Sequence, residues 1–515
     1  MKKTLLLLLV SILTRPIDQL QAQHKYWVFF EDKNTELATY STSKETVANR
    51  SALHLELYQF TDIPVTGEYV RKVSDYCEVL YKSRWLNAVS VAASSQQIKE
   101  VQELPFVKRI SNISTALFLT EVSHLATPVK NKNTVLSQIN GRYLREEGLT
   151  GQHVKVGVID GKFGNADNTP SLQHVFRQGR VKAAKDFLST NDIFEETDNP
   201  SDRHGTAVLH MIAGEDHTTR YGLANDGMFY LARTENSELE YRGEEDAWVA
   251  ALEWLDSTGV RLVNSSLGYS TDFDKAAHNY TPQDMDGQTS VVAKAAKMAV
   301  TQKGMILVVS AGNEGNNAKW KVITTPADVE EVITVGATNT ENLRSEVSSI
   351  GPTNGSFLKP DVVCMSVGGT SLAAPVITGM IACMLQKDPS LTSGEIRDII
   401  SRSSHLYPYG NNYVGYGIPD AKKIIQYLTD SSQIEPHHEE VRAKKSVWLL
   451  KGKNYARRDF TIYHKSNQRT VIKQTQVSSG RRGLKVTKHK EAQRTTVSSG
   501  DTTLEIVWPD ETNLN

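Results

Sequence analysis

The chain has 515 residues, with 58 Lys plus Arg against 59 Asp plus Glu and a formal net charge of −1. That balance argues against a polyanion partner for the whole chain, and 39% hydrophobic with 23% charged residues is ordinary for a globular protein of several domains. Three cysteines (Cys77, Cys364, Cys383), far apart and with no Cys-x-x-Cys pair, argue against a disulfide framework or a zinc site.

The N-terminus reads Met1-Lys2-Lys3 followed by an almost wholly apolar run from Thr4 to Leu13. A charged start and a short apolar stretch, with the small residue Ala22 behind it, predict a signal peptide over 1–22; an N-terminal anchor helix is the alternative reading. The run is shorter than the roughly 20 residues a membrane span needs. The expectation is export, to an extracellular, periplasmic or cell-surface location.

Residues 24–115 predict a small α+β module. Tyr26–Phe30 is a strand, and Arg84–Val91 alternates apolar and polar residues as a second strand would. Ser94–Leu104 has helical spacing, with Ser94 or Ser95 as cap and Ile98, Val101 and Leu104 on one face. Phe106–Ile113 closes the module as another strand. The polar stretch Thr127–Thr134 reads as an exposed part of a linker over 116–136, a natural place for processing.

From 137 to 430 strands and helices alternate. Strands are expected at Val154–Ile159, Val260–Asn264, Met305–Val309 and Val332–Val335. Helices are expected at Asp246–Ser257, Ser290–Gln302, after Ser371, at Ser393–Ser401 and at Pro419–Tyr427. This alternation predicts an α/β domain, a mostly parallel sheet covered by helices on both faces. Cys383 falls in the apolar helix after Ser371 and reads as a small core residue.

Four motifs in this region carry chemistry. Val154–Ile159 is a buried-strand pattern ending in Asp160 and Gly161. Asp202-Arg203-His204-Gly205-Thr206 precedes a helical apolar run. Ile306–Val309 leads into Ser310-Ala311-Gly312-Asn313. Gly368-Gly369-Thr370-Ser371 precedes Leu372-Ala373-Ala374-Pro375 and a long apolar run. Proline is tolerated in a first helical turn, so Ser371 lies where a loop becomes a helix. Backbone N–H groups and the dipole at such an end favour an oxyanion. Taken singly, each residue also has a structural role open to it: Asp160 as a turn residue, His204 as a satisfied core histidine, Asn313 as a left-handed turn, Ser371 as an N-cap.

The order Asp, His, Asn, Ser, each in its own motif, resembles the subtilase family of serine peptidases. The resemblance extends to Ser137–Asn140 and Gly148–Gly151, similar to the first helix of a mature subtilase, and to Asn264-Ser265-Ser266-Leu267-Gly268, similar to the family's substrate-binding strand and loop. It therefore covers about 137–426. It implies a secreted serine endopeptidase in which Ser371 attacks the peptide carbonyl, His204 carries the proton, Asp160 orients the imidazole and Asn313 donates to the oxyanion. It also implies that Ser266, Leu267 and Gly268 bind substrate, and that 24–115 is a propeptide acting as folding aid and intramolecular inhibitor. Partners would be protein or peptide substrates; nothing points to nucleic acid. No cofactor is required for the chemistry and no metal ligands are assigned, although two acidic stretches (Asp192, Glu195, Glu196, Asp198; Asp284, Asp286) are of a kind that suits structural calcium.

The chain departs from the family pattern in three places. Gly161 and Lys162 follow the aspartate where the family usually has Ser or Thr and then Gly. Ala207 replaces a second histidine. Only Val362–Gly368 separate Lys359-Pro360-Asp361 from Gly369-Thr370-Ser371, where the family carries a longer strand and loop. A cation beside the acid and a short approach to the serine are the grounds for the alternative expectation, a catalytically weak or inactive binding protein on a subtilase scaffold.

Past residue 435 the composition shifts. Residues 441–494 hold 16 Lys plus Arg and only two acids, Asp459 and Glu491. Short alternating runs (Phe460–Tyr463, Leu504–Trp508) and a repeated Val-Ser-Ser-Gly at 477–480 and 497–500 predict a small basic β-domain over 435–515. Its surface is suited to anionic cell-surface polymers, or is simply a solvated face.

Overall fold

A computed structural model of the chain describes residues 24–35, 40–113, 134–196, 199–235, 244–270, 280–351, 357–430, 438–500 and 502–509. The expected signal peptide, most of the expected linker and Asp198 lie outside these residues.

The N-terminal unit is a four-stranded antiparallel sheet of β1 (His24–Phe30), β2 (Glu78–Ser83), β3 (Ala88–Ala93) and β4 (Val107–Asn112), in the order β2-β3-β1-β4. Alternation along β1 divides its side chains between two cores. Tyr26, Val28 and Phe30 pack with Val70, Val73 and Val101 under the helices Gly67–Ser74 and Ser95–Gln102. Trp27 and Phe29 face the opposite way and enter the core of the next domain, together with Trp85. Ser94 caps the second helix in a reciprocal box with Gln97. One expected element differs: Arg84–Val91 is not a single strand. Residues 84–87 form the turn between β2 and β3, with Asn87 at φ 49°, a left-handed conformation that asparagine tolerates.

The central domain is built on seven parallel strands: β5 (Lys155–Asp160), β6 (Val181–Asp186), β7 (Met228–Arg233), β8 (Leu262–Ser265), β9 (Ile306–Ser310), β10 (Ile333–Thr338) and β11 (Val362–Met365). Their order is β11-β10-β9-β8-β5-β7-β6. β5 lies between β7 and β8, where the strand order reverses, the usual place for a site in an open α/β sheet. One face is covered by helices His204–Ala213 and Ala374–Lys387 over Val156, Val158 and Val308; the other by Glu245–Ser257 and Val291–Thr301 over Ile159, Val263 and Leu307. The expected strands and helices are present within a few residues of their expected ends. β6, β7 and β11 were not anticipated. β11 also corrects the reading of the short approach to Ser371, since Val362–Met365 is itself a fully buried strand paired with β10. All three cysteines are free and buried, and Cys383 packs in the core as expected.

The C-terminal unit has a five-stranded sheet of β12 (His438–Arg442), β14 (Asp459–Lys465), β15 (Val471–Ser478), β17 (Arg494–Ser499) and β18 (Thr502–Val507), with β13 (Val447–Leu450) and β16 (Leu484–Thr487) pairing separately. Both Val-Ser-Ser-Gly repeats end strands at turns: one leaves β15, the other joins β17 to β18 with Gly500 at φ 57°. Tyr463 and Val471 join the central core, and Thr503 Oγ1 donates to the His405 carbonyl at 2.6 Å.

Candidate active site

Asp160, His204, Asn313, Ser371 and Ser266–Gly268 each lie at, or just past, the carboxyl end of a parallel strand or at the start of a helix on that edge. Asp160 ends β5 and is fully buried. Its Oδ1 accepts from the Gly161 backbone N–H at 2.8 Å and is 2.5 Å from His204 Nδ1. His204 opens the helix His204–Ala213, whose Val208, Leu209 and Ile212 anchor it in the core. Gly205 allows that helix to approach closely: a Cβ there would lie 3.0 Å from the Lys162 carbonyl and the Phe163 ring. The imidazole is 15% exposed. Burial alone would depress its pKa, but the Asp160 carboxylate, the hydrogen bond to it and the Glu235 carboxyl overcome that and raise His204 to about 9.

Lys162 does not bear on Asp160 as the sequence suggested. Its ammonium turns to Asp202, with Nζ 3.2 Å from Oδ2, both side chains buried. The segment before His204 is thereby tied to the loop after β5, where Gly164 N–H also donates to the Asp202 carbonyl at 2.8 Å.

Ser371 sits in a single 3₁₀ turn, Thr370–Leu372, leading into the helix Ala374–Lys387 with Pro375 in its first turn. Gly369 enters at φ 68°, a conformation glycine takes without strain, and a Cβ on it would meet the Asn313 amide oxygen at 2.7 Å. The Asn313 amide is oriented by the same turn. Its Oδ1 accepts from the Thr370 N–H (2.9 Å) and Thr370 Oγ1 (3.1 Å), and the Gly312 N–H donates to that hydroxyl at 3.1 Å. With the oxygen bound twice, the Nδ2 edge of Asn313 is the donating edge. Ser371 Oγ donates to the Ser266 carbonyl at 3.3 Å and Ser266 Oγ donates to the Ser371 carbonyl at 2.8 Å, locking the turn to the loop after β8. The helix of His204 packs on both the Ser371 turn and the helix behind it. Ser266 and Leu267 are buried, and Gly268 lies so close to Thr324 that a Cβ would clash at 2.1 Å.

The acidic stretches are spent locally. Asp192 Oδ1 accepts from Phe194 N–H, Glu196 pairs with Arg203, and Asp284 and Asp286 cap turns at Thr281 and at Gln288-Thr289. Among the described residues no three His, Cys, Asp or Glu side chains gather as a metal site would need. No step below uses a metal ion.

The sequence reading missed Glu235, which is buried just beyond β7. The local pattern, an apolar strand with an acid two residues past its end, marks a strand terminus but not its neighbour; the pairing of β7 with β5 is what brings Glu235 to Asp160.

A twisted parallel sheet that carries an Asp–His pair beside a serine at a helix start is the architecture of a serine peptidase of the α/β class. A family profile described as the subtilase family matches residues 151–417, and one described as a peptidase S8 propeptide domain of Bacteroidota matches 25–128. Subtilisin NAT of Bacillus subtilis subsp. natto is 26% identical over 356 residues, covering 67% of this chain and 82% of the relative. Subtilisin of Bacillus pumilus is 28% identical over 303 residues, 56% of this chain and 98% of the relative. The crystal structure of the epidermin leader peptide processing serine protease of Staphylococcus aureus shares the fold, with TM-score 0.53 and 17% identity over 80% of this chain and 100% of that one. The chain belongs to the subtilase family: it is a serine-type peptidase, a hydrolase acting on protein or peptide substrates, with its own propeptide domain. A non-enzymatic scaffold finds no support in these relatives.

Proposed function

We propose that the protein is an exported endopeptidase that cleaves peptide bonds by acyl transfer to Ser371. His204 takes the serine proton and passes it to the leaving amine. Asp160 holds the Nδ1–H tautomer and stabilises the imidazolium, and Asn313 Nδ2 with the Ser371 backbone N–H receives the oxyanion. The observation that carries this reading is the 2.5 Å Asp160–His204 contact at the end of β5, beside a serine turn packed on the same helix. An extended substrate would add as a strand along Ser266-Leu267-Gly268. The chemistry requires no cofactor, because nucleophile, base and oxyanion donors are all protein groups.

The same reading makes residues 24–113 an inhibitor docked in place. The contact joins Arg50, Lys25 and Arg84 of the N-terminal unit to Asp256, Asp246 and Glu253 of the central domain, and Lys303 to Asp62 in return. The start of the chain supports export through a signal peptide over 1–22. Exposed Arg457, Arg458, Arg481, Arg482 and Lys485 support contact of the C-terminal unit with anionic cell-surface polymers. Autoprocessing tests the reading. The wild type should release its N-terminal unit on gels, and Ser371→Ala should remain full length. Release by Ser371→Ala, in the absence of other proteases, would overturn it.

A further inference from the structure

Asp160 uses only one of its carboxylate oxygens. Oδ1 takes both the Gly161 N–H and His204, while Oδ2 is buried with no hydrogen-bond partner among the described residues. A buried carboxylate oxygen without a donor is costly. The residue after Asp160 cannot supply one, because Gly161 has no side chain. Glu235 fills that space instead: its Oε2 lies 3.9 Å from where a Gly161 Cβ would stand. The backbone fixes this placement. Asp160 and Arg233 are register partners on β5 and β7, and the Thr234 N–H donates to the Asp160 carbonyl at 3.0 Å.

We propose that Glu235 is a positioning residue of the catalytic pair, its protonated carboxyl donating to Asp160 Oδ2 after a side-chain rotation within this space. The proposal rests on the triad reading given above. Two carboxyl groups that both act on one imidazole and on each other share a proton more readily than both ionise. The surroundings agree. Arg233 is committed to Asp186 (2.9 Å), and its Nε donates to the Glu235 backbone carbonyl. Lys162 is committed to Asp202. Tyr269, which feels the charges of Glu235, Glu244, Glu245 and Asp246, adds no positive charge. Burial first, then the Asp160 charge, raise the Glu235 carboxyl to about 8 against the pull of His204, so the group carries its proton at neutral pH. As an acid with a raised pKa it is neutral below that value and charged above it. Above that value the donor is lost and a second negative charge faces Asp160.

The test is steady-state kinetics on a peptide substrate from pH 6 to 10, for the processed wild type, Glu235→Leu and Glu235→Gln. Glu235→Leu should lower kcat about tenfold with KM unchanged. Glu235→Gln, which keeps a donor, should restore kcat to within about threefold of wild type. Relative to Glu235→Gln at each pH, so that the rise from His204 deprotonation through about 9 cancels, wild-type kcat should fall as pH rises through about 8. Equal losses in both variants would mark a purely structural role, and a wild-type to Glu235→Gln ratio that stays flat across pH 8 would remove the proton from the account; either overturns the proposal. Should Glu235→Leu fail to fold, the Glu235→Gln profile decides alone. Labelling of Ser371 by a serine-directed phosphonate in all three variants separates failure of this inference from failure of the triad reading.

Discussion

Replacing Glu253 with alanine should loosen the propeptide without touching the chemistry. Glu253 lies on the central-domain helix Glu245–Ser257, and its carboxylate receives four donors from the β2–β3 turn: Ser83 Oγ (2.5 Å), the Arg84 N–H (3.1 Å), the Trp85 N–H (3.3 Å) and Arg84 Nη1 (3.4 Å). Both partners are buried, with 12% of the Arg84 side chain and 5% of the Glu253 side chain exposed. In the undocked state water serves all of these groups. In the docked state the alanine variant leaves Ser83, the two N–H groups and part of Arg84 without their acceptor, although Arg84 keeps Asp256 at 3.1 Å. Breaking one side of a buried, hydrogen-bonded pair costs about 3–5 kcal/mol. At about 1.4 kcal/mol per decade this is roughly two to three and a half decades in propeptide affinity. The assay is the lag before a processed but undissociated complex begins to hydrolyse a peptide. Glu253→Ala should shorten the lag by at least tenfold and leave the final kcat/KM at the wild-type value. A lag within twofold of wild type would refute the clamp. The pH dependence follows from the same groups. Burial raises the pKa values of Glu253, Asp246 and Asp256 despite Arg84, Lys25 and Arg50, so docking is weaker with these acids ionised than protonated, and it tightens as pH falls through their raised values. Asp62 runs the other way: burial would raise it, but Arg50 and Lys303 hold it below the ordinary value, so its contribution is present above the ordinary carboxylate range and lost only in stronger acid. Mild acid, pH 5 against pH 8, should therefore lengthen the lag or leave it unchanged.

Asn313→Ala should lower kcat about 10²- to 10³-fold with little change in KM, the known cost of losing an oxyanion-hole asparagine in subtilisin; a loss under fivefold would remove Asn313 from the oxyanion site. Stability should fall with rising pH in the full-length Ser371→Ala chain. His204, raised from 6.5 to about 9, contributes stability that is complete below pH 6.5 and lost as pH rises through 9. Its full worth is about 3 kcal/mol at 1.36 kcal/mol per unit. Thermal melts from pH 6 to 10 should show a downward slope that His204→Gln flattens, and an unchanged slope in that variant would contradict the assignment.

The sequence was most informative where local chemistry and periodicity agreed. Val154–Ile159 ends in Asp160 and the His204 helix begins at its motif, because buried strands and apolar helices carry their pattern in a few consecutive residues. The Arg84–Val91 error shows the limit of period-two reading: alternation continued through a turn whose conformation depends on Asn87 and on Glu253, 166 residues beyond it. β11 was hidden because Val362–Met365 is only four residues long and buried on both faces, so it shows no alternation. Lys162 was placed by sequence adjacency to Asp160, but a long side chain reaches the better partner, Asp202. Glu235 could be read only once β7 was known to lie beside β5.

Covalent trapping tests the central claim most directly. A serine-directed phosphonate, followed by peptide mass mapping of the processed wild type, should label one residue, Ser371, and should fail to label Ser371→Ala and react far more slowly with His204→Ala. Absence of labelling in the processed wild type, or a label on any other serine, would contradict the account.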